Sequence, residues 1–218
     1  MSDFVIHGII GSPFVRAVLL GLEEKRLGWR LQPVMPGSSK SPEHLARHPF
    51  GRVPAVEHGD FRFYETQAVL RYLERIRPEP ALTPTDPRKA ARMDQIMGVN
   101  DWYLFAQASG PIGFPRVIAP RLGIPADTTR VADALPRAKV CIGELARLLG
   151  DQPFLAGEAL SLADLMVAPQ LSLLVECDEG QDLMAAHPAL SAWLERMEAR
   201  PSMIATTWER LEETARAA

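Results

Sequence analysis

Three short stretches of this chain carry residue types that could do chemistry. In the first, Ser12 precedes Pro13, and apolar residues follow at Phe14, Val15, Val18, Leu19 and Leu22, a helical spacing. Serine followed by proline is a strong helix start. A hydroxyl there either caps the helix or donates a hydrogen bond to a bound anion such as a thiolate, which the helix dipole also favours. Both uses need the same place. In the second stretch, Glu65-Thr66 opens a run with Ala68, Val69, Tyr72, Leu73 and Ile76 on one face. That pair is either a cap or a carboxylate site built on free backbone N–H groups. The third, Gly51-Arg52-Val53-Pro54-Ala55-Val56-Glu57, puts a proline at the start of a strand, where a missing N–H is tolerated. Lys40, in the loop before it, is either a point charge for a carboxylate or an ordinary surface lysine.

These stretches need elements to hold them. Residues 3–8 read as a buried strand, 13–26 as a helix, and Trp29 to Val34 as a second strand. A short helix runs from Ser41 to Arg47. Strands 53–57 and 61–64 meet at a tight His58-Gly59-Asp60 turn, and a helix spans 65–76. The order β-α-β-α-β-β-α is that of a thioredoxin-like α/β domain. Residues 77–87 carry four prolines and no periodicity, and read as an extended linker. Beyond it, 87–109, 129–149, 161–175, 187–199 and 202–216 are helical in pattern, with a break expected at Gly110-Pro111-Ile112-Gly113-Phe114-Pro115 and a loop to about 128. The expected domains are therefore 1–78, a linker 79–87, and an all-α bundle 88–218.

With 218 residues and a net charge of −3, nothing calls for nucleic acid or an anionic membrane as partner. Residues 1–80 carry 11 Lys/Arg against 9 Asp/Glu, and residues 81–218 carry 13 against 18, so the first part suits a small anionic ligand better. The first residues have neither a basic region nor a long apolar core, so no signal peptide is expected. Cys141 and Cys177 are far apart in helical segments and read as free buried thiols in a reducing, cytoplasmic setting. His44 and His48, four apart, could chelate a metal, but no third ligand joins them and no metal is expected. There is no P-loop, no GxGxxG and no GxSxG.

The run from Gly11 to Lys25, GSPFVRAVLLGLEEK, resembles the first loop and helix of serine-type glutathione S-transferases, in particular the phi and tau classes. Their catalytic serine lies four residues before an arginine, as Ser12 does before Arg16. The run from Gly37 to Val56, GSSKSPEHLARHPFGRVPAV, is similar to the phi-class stretch, and FLAGEALSLADLMVAP, from Phe154, to the family's signature at the start of the bundle's core helix. There the Ser161 to Asp164 box reads as a structural cap.

The resemblance implies a thioredoxin-like glutathione-binding domain followed by an all-α helical domain, and a homodimer. It implies that Ser12 donates to the glutathione thiolate, the sulfur being the nucleophile. Lys40 would take the glycine carboxylate, and Arg52 would present donors to that carboxylate or to the peptide region. Val53-Pro54, with a cis bond, would pair its main chain with the cysteinyl backbone, and Glu65-Thr66 would hold the γ-glutamyl end. A hydrophobic electrophile would sit in a cleft between the domains. Phe14, Ile112, Phe114, Trp102 and Phe105 are its candidate lining, each equally readable as core. This chain departs from the family at His48, where asparagine is commoner, at Arg52 for glutamine, and at Thr66 for serine. A glutathione-dependent isomerase, dehalogenase or peroxidase on the same scaffold, or a non-catalytic glutathione-binding module, are the alternatives.

Overall fold

A computed structural model describes residues 3–35 and 37–217. Contacts divide the chain into two compact units, 1–81 with 200–218, and 82–199.

The first unit is built on strands β1 (Phe4–Gly8), β2 (Trp29–Pro33), β3 (Ala55–His58) and β4 (Phe61–Tyr64), in the sheet order β2-β1-β3-β4. β1 and β2 are parallel, and β1–β3 and β3–β4 are antiparallel. Helices α1 (Pro13–Glu24), α2 (Pro42–Leu45) and α3 (Thr66–Ile76) complete the expected β-α-β-α-β-β-α order, with a short 3-10 turn at Ser38–Lys40. The strand period of two separates the faces. Phe4 and Ile6 stand with Val56 and His58 on one, and Tyr72 of α3 hydrogen-bonds His58 Nδ1 at 2.8 Å there. Val15, Val18, Leu19 and Leu22 of α1 and Val69, Leu70 and Leu73 of α3 are all buried. Val5, His7, Ala55 and Glu57 stand on the other face, where Arg47, just beyond α2, reaches Glu57 at 3.6 Å. The Val53–Pro54 bond is cis.

The same unit includes α10 (Pro201–Ala205) and α11 (Trp208–Ala217). Two expectations change here. The tail packs with the first unit rather than with the bundle, and the single helix expected over 202–216 is two. The Thr206-Thr207 pair divides it. Thr206 Oγ1 donates back to the Ser202 carbonyl at 2.8 Å, and Thr207 Oγ1 accepts from the Arg210 N–H at 3.4 Å as the next helix begins. Lys25, buried at the end of α1, pairs with Glu74 and donates to the carbonyls of Pro78 and Pro80, fastening the start of the linker.

The second unit is helical: α4 (Pro87–Val99), α5 (Ala119–Arg121), α6 (Val131–Leu149), α7 (Leu162–Leu174), α8 (Asp178–Ala185) and α9 (Pro188–Glu198). The expected break at Gly110–Pro115 does not occur. From Asn100 to Ile118 the chain winds on in wide π turns that carry Pro111 and Pro115 inside them, and the Ala119 N–H donates five residues back to Phe114. A proline crowds the carbonyl four residues behind it in an α-helix. A turn opened by one residue removes that clash, so two prolines four apart are accommodated rather than ending the helix. Helix α8 has no pattern of its own strong enough to announce it. Its buried Met184 and the acids Asp178 and Glu179 in its first turn support it. No described helix is long and apolar enough to cross a membrane.

At the start of α7, Asp164 is fully buried. Its carboxylate accepts from the N–H groups of Leu155 (2.8 Å) and Ser161 (2.9 Å), the Ser161 hydroxyl (2.7 Å) and the Trp193 indole (2.9 Å).

Candidate active site

The strand register gathers the candidate residues. Gly8, the last residue of β1, stands beside Pro33, the last of β2, so the loops leading to Ser12 and to Lys40 leave one end of the sheet. His7 stands opposite Ala55, so Val53-Pro54 enters β3 at that same end. Ala55 stands opposite Tyr64, so Glu65-Thr66 leaves β4 there too. Four separate stretches of sequence thus meet at the carboxyl end of the two parallel strands, the edge where open α/β sheets bind ligands.

Ser12 is the N-cap of α1, with extended backbone (φ −70, ψ 121), and its Oγ accepts from the Val15 N–H at 3.4 Å. The cap and the catalytic reading coexist. A hydroxyl that accepts this long bond keeps its own proton to donate. It is half-buried, at the positive end of a 12-residue helix.

Glu65 is the N-cap of α3 but makes no side-chain capping hydrogen bond, whereas Ser12, Ser41 and Asp86 all cap their helices. Its φ of +75 is rare for a residue with a Cβ. The carboxylate is exposed, and the buried Thr66 follows. Glu65 therefore does not act as a side-chain cap, and the pair stands at the N-terminus of α3, where a ligand carboxylate is favoured.

Lys40 lies across Gly51. Its Nζ donates to the Phe50 carbonyl at 3.0 Å, and a Cβ on Gly51 would stand 2.7 Å from both Lys40 Cδ and the Ser39 carbonyl oxygen. Only glycine fits there, and its φ is +59. His44, buried, has its Nε2 2.7 Å from the Arg52 carbonyl and ties α2 to the strand entry, and Arg52 itself is exposed. His48 is buried with its ring 4.4 Å from that of Tyr64, and its Nδ1 has no hydrogen-bond partner. Among the described residues no three His, Cys, Asp or Glu side chains gather as metal ligands.

Of the candidate acceptor residues, Phe14 is half-buried on α1. In the helical unit Trp102 is 77% exposed and Phe114 43%, Phe105 is half-buried, and Ile112 is fully buried in the core.

Sequence reasoning missed the group under α2. His7 Nε2 is 3.2 Å from Glu57 Oε1, which Arg47 and Arg62 also approach, at 3.6 and 3.5 Å. The antiparallel register, once known, would have put His7 and Glu57 on one face. Burial, and then the Arg47 guanidinium, hold the His7 imidazole below its usual pKa against the pull of Glu57. Burial, then His44 and Arg52, do the same to His48. A histidine whose pKa is lowered by folding binds its proton more readily when unfolded. Its contribution is intact above the unfolded pKa and is lost as pH falls through the window below it. The melting temperature is accordingly expected to drop between about pH 7 and pH 5. A His7→Gln/His48→Asn double variant should flatten that dependence in thermal denaturation, and an unchanged slope would show that other groups drive it.

The chain matches two described families, "Glutathione S-transferase, N-terminal domain" over residues 6–81 and "Glutathione S-transferase, C-terminal domain" over 129–196. It is 32% identical over 201 residues to a glutathione S-transferase of Hyoscyamus muticus, covering 90% of this chain and 94% of that one. The chain belongs to the glutathione S-transferase family. It is also 34% identical to glutathione S-transferase 4 of Zea mays, over 90% of this chain and 88% of the relative. Among solved structures it resembles glutathione S-transferase I from mais in complex with an atrazine glutathione conjugate. There the TM-score is 0.80 and the identity 27%, with all of both chains covered. As family membership requires, the architecture is a four-stranded mixed sheet with helices, followed by a helical domain.

Proposed function

We propose that this protein is a glutathione transferase of serine type. It binds glutathione at the carboxyl end of β1 and β2, ionises its thiol beside Ser12, and conjugates the sulfur to a hydrophobic electrophile. The observation that carries the reading is the strand register, which brings Ser12, Val53-Pro54, Glu65-Thr66 and the Lys40–Arg52 pair to one sheet end. Family membership supports it, as does the mais relative solved with a glutathione conjugate.

In this reading the N-terminus of α3 and the Thr66 hydroxyl hold the γ-glutamyl carboxylate, and Glu65 takes its ammonium. Lys40 and Arg52 hold the glycine carboxylate, and Val53 pairs its backbone with the cysteinyl unit. The anchored tripeptide then delivers its sulfur to Ser12, so binding at three distant points positions the reacting atom. For the electrophile the reading assigns Phe14 in the first unit and Trp102, Phe105, Ile112 and Phe114 in the helical unit, of which Trp102 and Phe114 are exposed. The protein works as a cytoplasmic homodimer.

Titration calorimetry with glutathione tests the reading, alongside conjugation of an aryl halide. Binding is expected, and Thr66→Val should weaken it by about 2 kcal/mol, roughly thirtyfold, with kcat nearly unchanged. An absence of binding at millimolar glutathione would overturn the proposal.

A further inference from the structure

Gly11 precedes Ser12 and has φ +91, a conformation that glycine adopts freely and other residues rarely do. Space forbids a side chain there as well. A Cβ on Gly11 would collide with the ring of Trp208, the first residue of α11, standing 2.6 Å from Cε3 and 2.9 Å from Cη2. The indole thus occupies the place of the side chain that Gly11 lacks. Its own orientation is set by its Nε1, which donates to Glu212 Oε1 at 2.8 Å one turn along α11, while Leu211 beside it is buried.

The segment carrying Trp208 is fastened along α1. Arg16, one turn after Ser12, donates through Nη2 to the Met203 carbonyl at 3.0 Å and through Nε to Thr206 Oγ1 at 3.4 Å. At the far end of α1, Glu24 accepts from both Arg200 Nε and Nη2 at 2.9 Å and from the Ser202 hydroxyl at 2.5 Å. Burial pushes the Glu24 carboxyl up, and the Arg200 and Ser202 donors outweigh it and hold it below its usual pKa.

We infer that Trp208 is a positioning residue for Ser12: the indole of the C-terminal helix buttresses the Gly11 loop and fixes where the hydroxyl at the head of α1 stands. The inference rests on the proposed role of Ser12. A glycine next to a group that must face one ligand atom is a loose joint, because its backbone has more freedom to lose than that of any other residue. A rigid aromatic ring pressed on its Cα removes that freedom. Misplacing a catalytic group by roughly 1 Å can cost about a hundredfold in rate.

The test uses the full-length protein with glutathione and an aryl halide. Wild type, Trp208→Ala, Trp208→Phe and Ser12→Ala are compared by the pKa of the bound thiol, followed through thiolate absorbance, and by kcat and KM. Trp208→Ala is expected to raise the bound thiol pKa part of the way towards that of Ser12→Ala and to lower kcat on the order of tenfold, with KM for glutathione little changed. Trp208→Phe, which keeps a ring on Gly11, should restore most of both. A merely structural role would lower the melting temperature and leave the thiol pKa where it is, and that result overturns the inference. Should Trp208→Ala not fold, Trp208→Leu, which keeps the apolar volume, is read by the same criteria. If Ser12→Ala shifts the thiol pKa and no Trp208 variant does, the inference alone fails. If Ser12→Ala shifts nothing, the thiolate reading fails and the inference with it.

Discussion

Ser12→Ala is expected to lower kcat/KM for aryl halide conjugation by about 10²- to 10³-fold at neutral pH, the loss seen when one preorganised donor to a developing or bound anion is removed. The hydroxyl sits where the α1 dipole adds to its effect. A free thiol titrates near ~8.5, so little of it is nucleophilic at neutral pH without that help. In the variant the bound thiol should titrate close to this value. The sign of the pH dependence follows. Activity rises with pH through the bound-thiol pKa, and in Ser12→Ala that rise moves upward, so the deficit is greatest near neutrality and shrinks towards about pH 9. Loss of the cap is a separate and smaller effect. The Oγ to Val15 N–H bond is long at 3.4 Å, so the change in stability should lie at the low end of the usual ~0.5–2 kcal/mol. Two measurements separate the roles: the pH–rate profile reads the donor, and the melting temperature reads the cap. A pH-independent deficit would refute the thiolate-donor role.

The largest effect on stability is expected at Asp164. Each of its oxygens accepts two hydrogen bonds: Oδ1 from Leu155 N–H and the Trp193 indole, Oδ2 from Ser161 N–H and its hydroxyl. Asp164→Asn is nearly isosteric, yet it turns one acceptor into an NH2 group facing two donors. Placed best, the amide turns its NH2 to Ser161, whose hydroxyl can rotate to accept while its N–H loses its acceptor. The stranded N–H costs about 1–3 kcal/mol and the other bonds lose their charge assistance, so the variant should lose roughly 3 kcal/mol. For a chain of this size that lowers the melting temperature by roughly 10 °C. The box joins the 154–157 turn, the head of α7 and the Trp193 of α9 within one unit, so the loss should appear as unfolding of that unit. Thermal denaturation followed by circular dichroism checks it. A change of less than about 1 kcal/mol would mean that water or repacking satisfies the stranded donor.

Both sites were legible because their signals are local. Ser-Pro at 12–13 and Ser-x-x-Asp at 161–164 are caps written within four residues, and the resemblance of the Gly11 and Gly37 runs to a family pointed to the first as the candidate site. The alternation of Phe4, Ile6 and Val56 and the three-four spacing of α1 and α3 were equally local, and the β-α-β-α-β-β-α order followed from them. Where local rules were read too literally they misled. Gly110-Pro111 and Pro115 spell a helix end, and the chain instead widens its turns and goes on to Ile118. There the packing of one long helical run outweighs the local preference against proline. The continuous pattern over 202–216 spelled one helix, and the side-chain bonds of Thr206 and Thr207 made two.

The sequence by itself determined most of the element types, the β-α-β-α-β-β-α order and the caps, because each depends on neighbours within a turn or two of chain. The tertiary structure alone decided three things. The sheet register set Ser12, Val53 and Thr66 at one edge. The shared face of β1 and β3 set the His7 imidazole against Glu57. The C-terminal helices came back to α1, with Trp208 on Gly11 and Arg16 on Met203. The last two are contacts between residues roughly 50 to 200 positions apart. Such contacts are chosen by how whole faces of elements pack and by which buried polar groups find partners, and no periodicity within a single segment encodes that choice.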